Sequence, residues 1–197
     1  PSVVLWELSL NETDMDPDFV SRMHRIGHAE YPGGGMSTCG WVEGYDVYLR
    51  ARQHGEIHSW KSGDKALVVS EYGDWEYYAE NEGFDQVTGS RLKPDASNSR
   101  AFRGDGESKL RQQLLNHADA LDDTLASPAV LDGQWAMFDY PRGYHSSRAA
   151  CGVSDFFRLP KWSYHFYRSQ RGIGSPWGDP VLCLATHWTA DAVLPVI

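Results

Sequence analysis

Apolar runs alternate with stretches of helical spacing along this chain. Residues 3 to 10, VVLWELSL, are nearly all apolar, as in a strand covered on both faces of a parallel sheet. The run stops at Asn11 and Glu12. DMDPDFVSRMHRIGH then predicts a helix. Asp16 suits the N-cap, Pro17 takes the first helical position, and Phe19, Met23 and Ile26 share one face. YPGGG ends that helix, and STCGW is a short strand candidate. YDVYLRARQH, from Tyr45, and KALVVSEYG read as further strands.

The stretch from Tyr77 to Gly106 is polar and without periodicity, and loops of that length usually carry function or disorder. ESKLRQQLLNHADALDDTLA follows, with Leu110, Leu114, Ala118, Leu121 and Leu125 at helical spacing. After Pro128 comes a strand pattern, VLDGQWAMFDY, then LPKWSYHFYRSQR, a helix opening at Pro160. A Gly- and Pro-rich link, GIGSPWGDP, leads to VLCLATHW, which reads as a strand of something new. Strand and helix alternate in order, so the expected class is α/β with a parallel sheet wound by helices. No internal repeat or low-complexity tract stands out.

Composition narrows the function classes. The 197 residues suffice for one domain with a sizeable core. With 18 basic against 27 acidic residues the formal charge is −9, which argues against nucleic acid or an anionic membrane as partner. Cys39, Cys151 and Cys183 are widely spaced and form no CxxC, so neither a zinc knuckle nor a redox pair is written. No apolar run is long enough to span a membrane. No signal peptide is visible, and the chain opens inside a strand-like run. We read it as a piece cut from a longer protein.

Glu12 and Glu71 share a context: each follows an apolar strand run and begins a strand-to-helix connection. In a β/α barrel such connections form the active-site face. Two carboxylates meeting there, one protonated and one ionised, are what glycoside hydrolysis requires. Strand-end carboxylates also occur as plain surface glutamates in any α/β domain. Other candidates are weaker. His24 and His28 stand i, i+4, a spacing for metal ligands, but no HExxH accompanies them. Neither GxSxG nor GxxxxGK occurs. Glu7 suits a supporting role, Asp139 and Arg142 either line a pocket or pair structurally, and WSYHFY reads as helix core. Trp75, Tyr77 and Tyr78 are better placed as a sugar platform.

Several segments together resemble family 2 glycoside hydrolases, the β-galactosidase, β-glucuronidase and β-mannosidase group. PSVVLWELSLNE resembles the fourth barrel strand, which ends in Asn-Glu. VVSEYG resembles the seventh, ending in the nucleophile, and LDGQWAMFDYPRGY the eighth, with its tryptophan. SDFFRLPKWSYHFYRSQR is similar to the barrel-closing helix, and VLCLATHW to the first strand of the β-sandwich domain that follows. The resemblance implies that Glu71 is the nucleophile and Glu12 the acid/base. It implies that Asn11 binds the sugar 2-hydroxyl and Trp135 forms a wall of the subsite. Where relatives carry Asn-Arg-Tyr on the sixth strand, this chain has Ala51, Arg52, Gln53 and His54. Arg52 fits the arginine, and Gln53, His54 or Tyr72 is left to replace the tyrosine. Asp74 is a candidate for a sugar hydroxyl.

The resemblance thus implies strands four to eight of a (β/α)8 TIM barrel over residues 1–172. Residues 173–197 would be a linker and the start of a β-sandwich domain. The expected activity is that of a retaining, β-galactosidase-like glycosidase without organic cofactor or bound metal. Alternatives are a β-mannosidase, a galactan-type polysaccharide hydrolase, a non-catalytic carbohydrate-binding barrel, or a metal hydrolase built on His24 and His28. The expected partners are a carbohydrate and the N-terminal strands and domains of a parent chain, exported to the periplasm or secreted. A barrel lacking three strands exposes open edges, so little activity is expected of this piece alone.

Overall fold

A computed structural model describes residues 5–8, 15–31, 37–38, 45–50, 61, 63–72, 99–141, 148–176 and 178–186. In chain order the elements are β1 (Trp6–Glu7), α1 (Pro17–Glu30), β2 (Ser37–Thr38), β3 (Val47–Arg50) and β4 (Ala66–Tyr72). They continue with a 3-10 turn (Arg103–Asp105), α2 (Glu107–Leu125), β5 (Ala129–Gln134), β6 (Tyr140–Pro141), β7 (Arg148–Ala149) and α3 (Trp162–Ser169). The class is mixed α/β with parallel sheets, as the alternation of patterns requires.

β3, β4 and β5 form one parallel sheet in chain order. β1 pairs parallel with β2, and the Asp46 N–H donates to the Ser37 carbonyl at 3.1 Å, tying the entry of β3 to β2. β4 is central. Leu67, Val68 and Val69 are all buried, because a central parallel strand is covered on both faces. Leu67, Val69 and Tyr72 pack on Ala120 of α2, with Tyr48, Ala129 and Tyr167 alongside. A second cluster joins Ala101, Leu110 and Trp162. The end of the long polar stretch is thus built into the core: Ser99 and Ala101 are fully buried. β1 departs from expectation. It was expected to be covered on both faces, yet Trp6 is 43% exposed, since β2 is its partner among the described strands.

α1 begins as its sequence predicts. The Asp16 carboxylate accepts from the N–H groups of Asp18 at 2.8 Å and Phe19 at 3.3 Å, with Pro17 at the first position. Its inward side differs, however. Phe19 and Ile26 are exposed, and Val20 packs with Tyr45, Leu8 and Met15. The helix is turned so that Val20, His24 and Gly27 face the strands, and Gly27 lets the Leu8 side chain come close.

α2 also rotates away from its leucine stripe. Leu110 and Leu121 are buried, but Leu125 is exposed, and the rest of the buried side is Gln113, Asn116, His117, Ala120 and Thr124. Buried polar groups are tolerated when hydrogen-bonded. Gln113 Nε2 donates to the Ala150 carbonyl at 3.3 Å, and its Oε1 accepts from Ser163 Oγ at 3.2 Å. Asn116 Nδ2 donates to Ser99 Oγ at 3.3 Å.

WSYHFY lies in α3, where Trp162 and Ser163 are buried. VLCLATHW does not form the expected strand within its described part, up to residue 186. Leu182 and Leu184 are exposed. A strand needs a partner edge for its N–H and C=O groups, and no described strand pairs with this segment.

Candidate active site

β4 and β5 run parallel, so their C-terminal ends meet at one edge of the sheet. Their pairing there is irregular. Val69 stands opposite Asp132 and Tyr72 opposite Gln134, so Ser70 and Glu71 together face the single residue Gly133. An extra residue of this kind bends a strand and re-aims the side chains that follow. Strict alternation from Leu67 and Val69 would send residue 71 under α2. With the bulge, Tyr72 takes that inward place and Glu71 does not. Glycine at 133 permits it: a Cβ there would stand 2.5 Å from the Ser70 carbonyl oxygen. The Glu71 side chain is half-buried at this edge.

Trp135 leaves the neighbouring strand at the same level. Its backbone N–H donates to the Tyr72 carbonyl at 2.8 Å. The indole is 41% exposed and donates from Nε1 to the Tyr140 hydroxyl at 3.0 Å. The Tyr140 ring meets it edge-on at 6.0 Å. The Trp135–Ala136 peptide is cis.

Tyr72, expected near the sugar, lies in the core instead. It is 1% exposed, and its hydroxyl lies 3.4 Å from Asp132 Oδ2. Burial pushes its phenol up to about 12, with the Asp132 carboxylate adding to the rise against a hydrogen bond with Tyr167. The phenol is therefore neutral at ordinary pH. Asp139 pairs structurally. Its Oδ1 lies 2.7 Å from Lys161 Nζ, with both side chains fully buried, and it also accepts from the Gly152 N–H at 2.9 Å. Lys161 Nζ donates further to the carbonyls of Ala101 at 2.5 Å and Ala150 at 3.1 Å. This clasp joins three segments: the one after β5 that carries Trp135, the one after β7, and the turn before α2. Burial pushes Asp139 up and Lys161 down, against the attraction between them.

Asn11, Glu12, Arg52, Gln53, His54, Asp74, Trp75, Tyr77, Tyr78 and Arg142 lie outside the described residues. Glu71 and Trp135 are the expected site residues that the structure brings to one edge. Sequence reading missed Gly133 and Lys161. A glycine inside a strand pattern is a recognised sign of a bulge or close approach, whereas a buried lysine has no such signature.

No protein-family model matches the chain. It is 27% identical over 218 aligned residues to a β-galactosidase of Thermoanaerobacterium thermosulfurigenes, covering 100% of this chain and 27% of that protein. The likeness to that β-galactosidase runs the whole length of the chain. A β-galactosidase of Thermoanaerobacter pseudethanolicus is 25% identical over 179 residues, covering 86% of the chain and 21% of the relative. The chain thus spans about a quarter of the length of these curated relatives. Among solved structures, Faecalibacterium prausnitzii β-glucuronidase aligns with 71% of this chain and 23% of its own, at 14% identity and a TM-score of 0.39.

Proposed function

We propose that the chain is the C-terminal part of the (β/α)8 catalytic barrel of a retaining, β-galactosidase-like enzyme. Residues 1–172 belong to the barrel, and 173–197 lead into a following domain. The barrel reading draws support from the described strands, which follow chain order and run parallel in β1–β2 and β3–β4–β5. The substrate class comes from the β-galactosidases that the chain resembles.

One observation carries the site. Glu71 stands at the C-terminal edge of the central parallel strand, re-aimed by the bulge, beside an exposed tryptophan hydrogen-bonded to the same strand. In this reading Glu71 attacks the anomeric carbon and forms a glycosyl ester, while Glu12 protonates the leaving oxygen. Glu12 then takes a proton from water, which hydrolyses the ester and restores both carboxyl groups. Trp135 walls the subsite, Asn11 holds the 2-hydroxyl, and Arg52, His54 and Asp74 contact the nucleophile or sugar hydroxyls.

The test uses the full-length protein and an aryl β-galactoside. Glu71→Gln should lower turnover on the order of 10,000-fold or more, as loss of a nucleophile does. Glu12→Ala should recover part of its rate with added azide when the leaving group is good, because azide needs no general base. Retained activity in both variants, without rescue, sinks the assignment.

A further inference from the structure

We infer that His24, His28 and Asp46 form a binding site for a divalent transition-metal ion of the zinc type, remote from the glycosidase centre. The sequence offers only the two histidines at i, i+4. The fold supplies a third donor from another segment. His24 Nε2 lies 3.1 Å from Asp46 Oδ1, and His28 Nε2 lies 3.1 Å from the same oxygen. All three donors fall within 4.8 Å of one another. Bonds of about 2.0 to 2.2 Å place the ligand atoms of a tetrahedral zinc ion roughly 3.3 Å apart. The two nitrogen-to-oxygen separations are close to that edge and the third lies within 4.8 Å, so an ion enters with side-chain shifts alone.

The carboxylate is already oriented. Asp46 Oδ2 accepts from the Ser37 N–H at 2.7 Å and from Ser37 Oγ at 2.9 Å. Oδ1 lies near both imidazoles while His28 Nε2 is also 3.1 Å from Oδ2, and outer contacts such as those from Ser37 are what orient a metal-ligating carboxylate. An N,N,O donor set suits zinc, nickel, cobalt or copper ions and not magnesium or calcium.

Access and place are consistent with a bound ion. The side chains of His24, His28 and Asp46 are 28%, 40% and 20% exposed. His28 and Ser37 also line a cavity of about 290 Å³ with Trp6, Met23 and Tyr31, which leaves room for a water as fourth ligand. Asp46 precedes β3 at its N-terminal end, level with the start of β4. Ala66 to Glu71 spans roughly 17 Å at about 3.3 Å per residue. The ion would thus tie α1 to the entry of β3 and take no part in the glycosidase chemistry.

The test uses the full-length protein without an affinity tag, stripped by a chelator and titrated with Zn²⁺ or Mg²⁺. Zn²⁺ at a hundredfold its Kd should raise Tm by roughly 5 to 10 °C for a domain of this size, and Mg²⁺ should not. Co²⁺ should show the visible absorption of a four-coordinate ion. His24→Ala and His28→Ala should lose the rise and the spectrum and bind one equivalent fewer. Equal responses in both variants and wild type, or no Zn²⁺ response in wild type, overturn the site and leave a hydrogen-bonded trio. Should the variants fail to fold, the wild-type Co²⁺ spectrum decides: four-coordinate bands support the site and their absence refutes it.

Discussion

Removing the ammonium of Lys161 by Lys161→Met should be among the most destabilising single changes in this chain. The residue is 1% exposed, and its Nζ lies 2.7 Å from Asp139 Oδ1. Deleting one partner of a buried ion pair costs about 3 to 5 kcal/mol, because the other charge stays buried without compensation. The structure locates that penalty. The Ala150 carbonyl keeps hydrogen bonds from the Ala101 N–H at 3.1 Å and Gln113 Nε2 at 3.3 Å, so it adds little. Asp139 Oδ1 keeps the Gly152 N–H at 2.9 Å, and the Ala101 carbonyl loses its bond from Nζ. A loss of about 4 kcal/mol would lower Tm by roughly 8 to 16 °C. Urea unfolding at neutral pH measures it, with the m-value unchanged if the native fold persists. Lys161→Met/Asp139→Asn should recover about half, since asparagine still accepts from Gly152 without a charge. A single-variant loss below about 1 kcal/mol, or a double variant no more stable than the single, would refute the argument.

Two further outcomes follow from the site geometry. Tyr72→Phe should leave KM for an aryl β-galactoside unchanged and cost about 1 to 2 kcal/mol, because its 3.4 Å contact with Asp132 is long but its hydrogen bond with Tyr167 is also lost; a tenfold rise in KM would place its hydroxyl on the sugar. Asp46, held at about 2 against an ordinary 3.8, stabilises the fold above its unfolded value and loses that stability as pH falls through its folded one. Between pH 4 and 2 wild type should therefore lose up to about 2 kcal/mol that Asp46→Asn does not lose, and parallel acid unfolding curves for the two proteins would contradict this.

The order of elements was legible because apolar runs and helical spacing are local. So were the Asp16 cap and the buried run of β4. The packed face of α2 was not, since Gln113 and Asn116 are made burial-worthy by Ala150, Ser163 and Ser99, which lie far along the chain. Tyr72 misled for a related reason. Its side depends on how many residues of β4 oppose Gly133, which is a property of two strands together. That Glu71 and Trp135 stand at one edge was readable because strand ends in a parallel sheet share an edge. The metal-type cluster was half legible: the helix places two histidines, but only the meeting of α1 with the entry of β3 adds Asp46.

The polar inner side of α2 bears on how the chain tolerates change. A helix seated by leucines alone can slide or turn by a residue and still bury oil against oil. One seated through Gln113 and Asn116 has a single position in which its amides find their mates. Enriching that side with leucine would therefore trade a unique seating for stickiness, giving a protein that stays collapsed yet blurs the edge where Glu71 and Trp135 stand. The outward Leu115 and Leu125 carry no such constraint, and polar residues there should pass unnoticed by the fold.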